Sequence, residues 1–162
     1  MIKRRSKMNG LLNIRPNLII GIFLTFEVIF SFVGAQLNWK SFHDSICSSN
    51  VGMIIAIVGF IIHVICHISH KKGHRISSDI NEIVTEGPFK YIRHPMYTGL
   101  LLVFWGIYIA RSYFYTAIIP IASTILLYLL AKEEEKYLLE NLGNKYKKYK
   151  KKVKWMFIPG II

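Results

Sequence analysis

The sequence predicts an all-α integral membrane protein, with four transmembrane helices in two hairpins and a polar cap on the cytoplasmic side. Three observations predict it. The chain of 162 residues is 52% apolar with a positive mean hydropathy, richer than ordinary soluble composition. Its apolar residues gather in four stretches, 18–37, 51–68, 96–110 and 113–131. Its basic residues avoid every second connection between them. The whole of 1–162 reads as one membrane domain.

The first stretch has 20 residues, the second 18 and the fourth 19, within the roughly 17 to 25 that cross a bilayer as helix. A basic segment ahead of the first, with Val33-Gly34-Ala35 behind, also has the outline of a signal peptide. The length of the apolar run, the Glu27 inside it and the spans that follow favour a membrane span. The third stretch, at 15 residues, reaches only about 22 Å against a hydrocarbon core of about 30 Å. It therefore begins inside the interface, or its end is covered by neighbours.

Formal charge is +12, which in a soluble chain would point to nucleic acid. Position decides otherwise. Five Lys or Arg precede the first span, five lie between spans two and three, and nine fall between Lys132 and Lys154, leaving only Lys40 and Arg111. By the positive-inside rule both termini and the loop before Pro95 are cytoplasmic, and the basic excess faces anionic lipid. The connections at 38–50 and Arg111-Ser112 are short, which makes each pair a helical hairpin. Polar mass gathers in the cytoplasmic segments 69–95 and 132–162. In the second of these Leu138, Leu142, Tyr146, Tyr149 and Val153 form a one-sided stripe, a pattern expected to lie on the membrane surface. Gly143 interrupts it, and a break there suits a turn over a site.

Cys47, read as part of an outer loop, and Cys66 form no spacing pattern that implies a disulfide or a metal. Glu27, His63 and His67 are the costly residues inside the spans, and such groups are functional suspects by default. His63 and His67 share a helix face. No further ligand set accompanies them, so neutral histidines bonding between helices are expected, and no metal site.

Two segments carry chemistry. The first is GPFKYIRHPMYTG, 87–99, which runs directly into span three. Pro95 suits a first helical residue, so His94 flanks the helix start. Helix N-terminal N–H groups and Arg93 together favour an anion, and Phe89, Tyr91 and Tyr97 add aromatic faces. The second is Lys132-Glu133-Glu134-Glu135-Lys136, after span four. Successive helical residues are about 100° apart, so only one or two of the three acids can share a pocket, Glu134 or Glu135 among them.

At these two segments the sequence resembles the isoprenylcysteine carboxyl methyltransferase family and, more broadly, the membrane-embedded phospholipid methyltransferases. The resemblance covers the C-terminal half, from GPFKYIRHPMYTG through a hydrophobic hairpin to EEEKYLLENLGNKYKKYKKKV and Phe157-Ile158-Pro159. It implies methyl transfer from S-adenosylmethionine to a lipophilic acceptor drawn from the bilayer, and makes the cytoplasmic cap cofactor-binding. Carried over, the cofactor residues are His94, Pro95, Tyr97 and Glu134, with Met96 and Phe89 beside them and Ile83 and Val84 nearer the adenosine. His94 and Glu135 are the candidate bases for an acceptor that must lose a proton.

One departure bears on the acceptor. Carboxyl methyltransferases of the family carry an arginine about one turn before the double acid, where this chain has Leu129-Leu130-Ala131-Lys132. That leaves Lys132, with Arg93, as substrate candidates, and a lysine meets a carboxylate only as a point charge. A sterol-reductase-like enzyme using NADPH and a non-catalytic accessory protein are the competing readings; neither requires S-adenosylmethionine.

Overall fold

A computed structural model of the chain describes residues 16–41, 46–73 and 83–160. The basic N-terminal residues and Arg75 lie outside them. Five α-helices follow in order: α1 (Pro16–Gln36), α2 (Ile46–Gly73), α3 (Pro95–Arg111), α4 (Ile118–Leu142) and α5 (Asn144–Lys152). Among the described residues there are no strands, only the isolated bridges Ser41–Tyr113 and Ile92–Trp155.

Three stretches are long and apolar enough to cross a membrane, Leu18–Gln36, Ser48–Ile68 and Phe114–Leu142. Their large apolar side chains, among them Phe32, Ile54, Phe60 and Ile118, point outward. That inverts the pattern of a soluble protein and suits a hydrocarbon solvent. The third expected span is α3, with 17 residues, about 25 Å at 1.5 Å per residue.

Some boundaries differ from the sequence expectation. Helix α2 runs from Ile46 to Gly73, so Cys47 belongs to its first turn and not to an outer loop. Helix α4 continues to Leu142, which puts the acidic run two turns before its end. There the opposing field of the helix C-terminus has faded. The α3–α4 connection starts at Ser112, whose left-handed φ of 54° caps α3, and is longer than the two residues expected, because Phe114–Ala117 form a 3-10 turn before α4.

Helices α2 and α3 pack antiparallel, with Gly52 to His63 of α2 against Met96 to Ala110 of α3, and glycine permits it. A Cβ on Gly106 would lie 2.5 Å from the Ala56 backbone nitrogen, and one on Gly59 would lie 2.6 Å from the Gly99 carbonyl oxygen. Both distances are below any real Cβ contact, so the backbones touch, as small residues allow between membrane helices. At the end of the seam where α3 starts, His63 Nδ1 lies 3.2 Å from the Met96 carbonyl oxygen, the interhelical bond expected of it.

Helices α1, α3 and α4 share a second core. Ile20, Leu100, Phe104, Ile119, Leu127 and Leu130 are its buried members, with Phe23 and Leu24 against them. The stripe expected to face lipid is buried in protein instead: Tyr146, Tyr149 and Val153 pack with Leu138, Leu142 and Ile83. The turn that achieves this is Gly143, at φ 52° and ψ −117°, a conformation glycine adopts at no steric cost. It folds α5 back over the end of α4.

Candidate active site at the start of α3

Helix α3 starts at Pro95, as the sequence predicts, with His94 as its N-cap and no side chain capping its first N–H groups. The approach to it is held by the far end of the chain. Arg93 N–H donates to the Trp155 carbonyl and His94 N–H to the Met156 carbonyl, each at 2.9 Å. The Thr98 hydroxyl donates to the Phe157 carbonyl at 2.9 Å. Residues 155–157 therefore form a strap across the first turn of α3.

The acidic run of α4 meets this strap from the other side, and the two acids the sequence left undecided take different parts. The Glu135 side chain is 5% exposed, and Oε1 accepts from Arg93 Nε at 2.6 Å. Its Oε2 accepts from Lys150 Nζ, also at 2.6 Å. Arg93 also donates through Nη1 to the Val153 carbonyl at 3.0 Å and to the Lys154 carbonyl. One guanidinium thus joins α4, the end of α5 and the entry to α3. Charge-assisted bonds of this kind are about twice as strong as neutral ones.

Glu134 is the more open acid, its side chain 34% exposed, with Oε2 3.6 Å from His94 Nδ1. The Tyr97 hydroxyl lies within electrostatic range of it. The His94 ring lies between the acids, with Nε2 3.6 Å from Glu135 Oε1, and that nitrogen is buried without a hydrogen-bond partner. The ring stacks on Tyr97 at 5.6 Å and an interplanar angle of 5°, and Phe157 sits 6.0 Å away. Together they make a small polar basin with aromatic walls.

The other candidates divide. Pro95 is buried beneath the basin, and Met96 is half-buried and bonded to α2 through His63. Phe89 is buried, and its carbonyl accepts from the Tyr149 hydroxyl at 2.9 Å. Burial pushes the Tyr149 phenol up to about 12 and raises that of Tyr146 as well, so both stay protonated near neutrality. Ile83 packs with that tyrosine pair, and Val84 is half-buried beside it in sequence. Lys132 does not join the cluster: its ammonium lies 5.3 Å over the Tyr128 ring on an exposed face. Arg93 joins it as the partner of Glu135. Among the described residues, no three His, Cys, Asp or Glu converge as a metal site would require.

Sequence reasoning missed Lys150, one of many lysines in α5, and the strap carbonyls, which any residue could supply. It also missed Thr98. Only the separation of the partners marks them, and separation is invisible without the fold.

The described arrangement can accept hydrogen bonds at Glu134, present aromatic faces at Tyr97 and Phe157, and hold a proton at His94. A family profile described as phospholipid methyltransferase matches residues 47–145, from α2 through the acidic run and just into α5. A methanethiol S-methyltransferase of Pseudomonas deceptionensis is 36% identical over 73 residues, which are 45% of this chain and 27% of that relative. The match therefore spans about a quarter of the relative's length. The ordered pieces seen in the sequence, the basin they build and the extent of the profile agree: the chain belongs to the phospholipid methyltransferase family.

Proposed function

We propose that the protein is an S-adenosylmethionine-dependent methyltransferase whose acceptor is lipophilic and reaches the basin from the membrane. The observation that carries this reading is His94 between Glu134 and Glu135 at the start of α3, in a chain of this family. In this reading α3 completes a fourth crossing, packed against α2 and paired with α4 as the second hairpin. The basic loops keep both termini and the basin on the cytoplasmic face.

The residues suit the cofactor. The uncapped start of α3 favours its carboxylate, Tyr97 and Phe157 offer faces to its adenine, and Glu134 has carboxylate capacity left for a ribose hydroxyl or amino group. Bound there, S-adenosylmethionine supplies an electrophilic methyl group on sulfonium. The chain's own task is then alignment and exclusion of water, which the Arg93–Glu135–Lys150 network serves by holding strap and helices together. Glu135 already accepts from two cations, so it positions. His94, with an unpartnered buried nitrogen, is the group able to take a proton from a neutral acceptor.

Leu130, fully buried in the apolar core, stands where the family's carboxyl methyltransferases have arginine. Its burial argues against a carboxylate acceptor, and the relative's name makes a thiol the first alternative to test. Calorimetry with purified protein should register S-adenosylmethionine binding, strongly weakened in His94→Ala and Glu134→Ala. Binding of NADPH instead, or unchanged binding in both variants, would overturn the reading. Membranes given labelled S-adenosylmethionine and a panel of lipids and hydrophobic thiols would identify the acceptor.

A further inference from the structure

Far from the basin, the bundle holds a second polar group that the proposed reaction does not use. Glu27 is fully buried on α1, and Ser31, one turn on, is 4% exposed. Ser123 on α4 is 1% exposed. Both Glu27 oxygens and both serine hydroxyls lack a hydrogen-bond partner. Buried polar atoms nearly always find one.

These residues face one interior. On α1, Ile20, Phe23 and Leu24 belong to the core shared with α3 and α4, and Glu27 and Ser31 continue that face at helical spacing. On α4, Ser123 lies between Ile119 and Leu127, both in the same core. The level along the bundle also agrees. Trp105 Nε1 donates to Thr124 Oγ1 at 3.1 Å, and Tyr108, one turn further along α3 than Phe104, lies within electrostatic range of Glu27. This places the group in the outer half of the bundle, about ten residues or more along α3 from His94, hence on the order of 15 Å away.

We propose that Glu27, Ser31 and Ser123 form a buried binding site for one small monovalent cation, of the size of sodium. The donor set is all oxygen, which suits a hard cation and not a transition metal. Its single carboxylate balances one positive charge, whereas a divalent ion would leave a net charge in a low-dielectric interior. Lys40 and Arg111, the basic residues of the outer side, are both exposed and leave the carboxylate to another counter-ion. Bound there, the ion ties α1 to α4 and so braces the first helix against the hairpin that carries the basin.

The test is thermal unfolding of the full chain, purified in detergent, in sodium, potassium or choline chloride at one ionic strength, at pH 7 and at pH 8.5. A ligand that binds only the folded state raises the midpoint with its concentration. Sodium should raise the midpoint by several degrees over choline, with potassium between or equal to choline. Glu27→Gln should erase the sodium effect while retaining S-adenosylmethionine binding, and Ser123→Ala should shrink it. Equal midpoints in all three salts at both pH values would overturn the site and mean that a proton neutralises Glu27. A sodium effect that survives in Glu27→Gln would overturn it too. Should Glu27→Gln fail to fold, the wild-type salt series and Ser123→Ala decide the question. The proposal stands apart from the methyltransferase reading, since either can fail alone.

Discussion

The two ends of the α3–α4 hairpin are built in opposite ways. At the connected end the polar side chains bond within their own turn: the Ser112 hydroxyl to the Ile109 carbonyl and the Thr116 hydroxyl to the Tyr113 carbonyl. At the open end the partners are 42 residues apart for Arg93 and Glu135 and 59 for Thr98 and Phe157. The side-chain bonds of the connected end are local, and its contacts with distant residues are the Ser41–Tyr113 bridge and Trp39 packed edge to face on Tyr113 and Tyr115. The open end is an assembly of four segments, none of which closes the basin alone. Loss of one local bond frays a turn; loss of one long-range bond releases a strap.

If that contrast is right, substitutions should separate the two ends by size of effect. The largest belongs to the buried ion pair. Arg93→Leu leaves Glu135 with one of its two cations, and removing one partner of such a pair costs about 3 to 5 kcal/mol. Denaturant unfolding in detergent should show that loss, and S-adenosylmethionine binding should go with it. An effect under about 1 kcal/mol would mean that Lys150 alone holds the acid.

Next comes the α2–α3 seam. Gly106→Leu forces a side chain where a Cβ already meets the Ala56 backbone at 2.5 Å, and overpacking costs about 1 to 3 kcal/mol. Because Gly106 lies away from the basin, stability should fall at the expense of folding yield rather than of cofactor affinity per folded molecule. Calorimetry on the folded fraction measures the difference.

Glu134→Gln is the converse case. With its side chain a third exposed, stability should move by no more than about 0.5 kcal/mol, while affinity for S-adenosylmethionine drops tenfold or more. Equal losses in both would make Glu134 a structural acid like its neighbour.

An effect on stability, without the loss of affinity, is expected at Tyr149, whose hydroxyl bonds the Phe89 carbonyl across the cap. Tyr149→Phe should cost about 1 kcal/mol. The phenol is raised from 10.0 to about 12 in the fold, so folding favours its protonated form. That contribution is complete below about pH 10 and is lost as pH rises through about 12. Base-induced unfolding should therefore lose part of its steepness in Tyr149→Phe. The smallest effect belongs to the turn between α3 and α4: Ser112 already has a left-handed φ, so Ser112→Gly trades one local bond for an easier backbone and should change the midpoint by a degree or two.

Much of the fold was legible in the sequence because its signals are local. Apolar length marked α1, α2 and α4, Pro95 marked the start of α3, and Gly143 marked the break before α5. The candidate site was legible at Arg93, His94, Pro95, Tyr97 and the acidic run, because an unusual run of polar residues beside a membrane helix needs a reason. Lys150 was not, since nothing in a stretch of lysines distinguishes the one that reaches Glu135. The stripe from Leu138 to Val153 was read as lying on the membrane surface, whereas the fold packs it against protein, because lipid and protein both satisfy an apolar face.

The sequence alone determined that this chain is helical and membrane-embedded, and it marked candidate site residues at the start of α3 and in the acidic run of α4. Length, hydropathy and capping act over a few turns, and a few turns are visible in order. The tertiary structure decided which glutamate is buried, which is left open, and which cation serves the first. It also buried Glu27, Ser31 and Ser123 without hydrogen-bond partners for their side chains. Those outcomes depend on where helices α1 and α5 lie against the rest, and that is a property of packing between segments far apart in the chain.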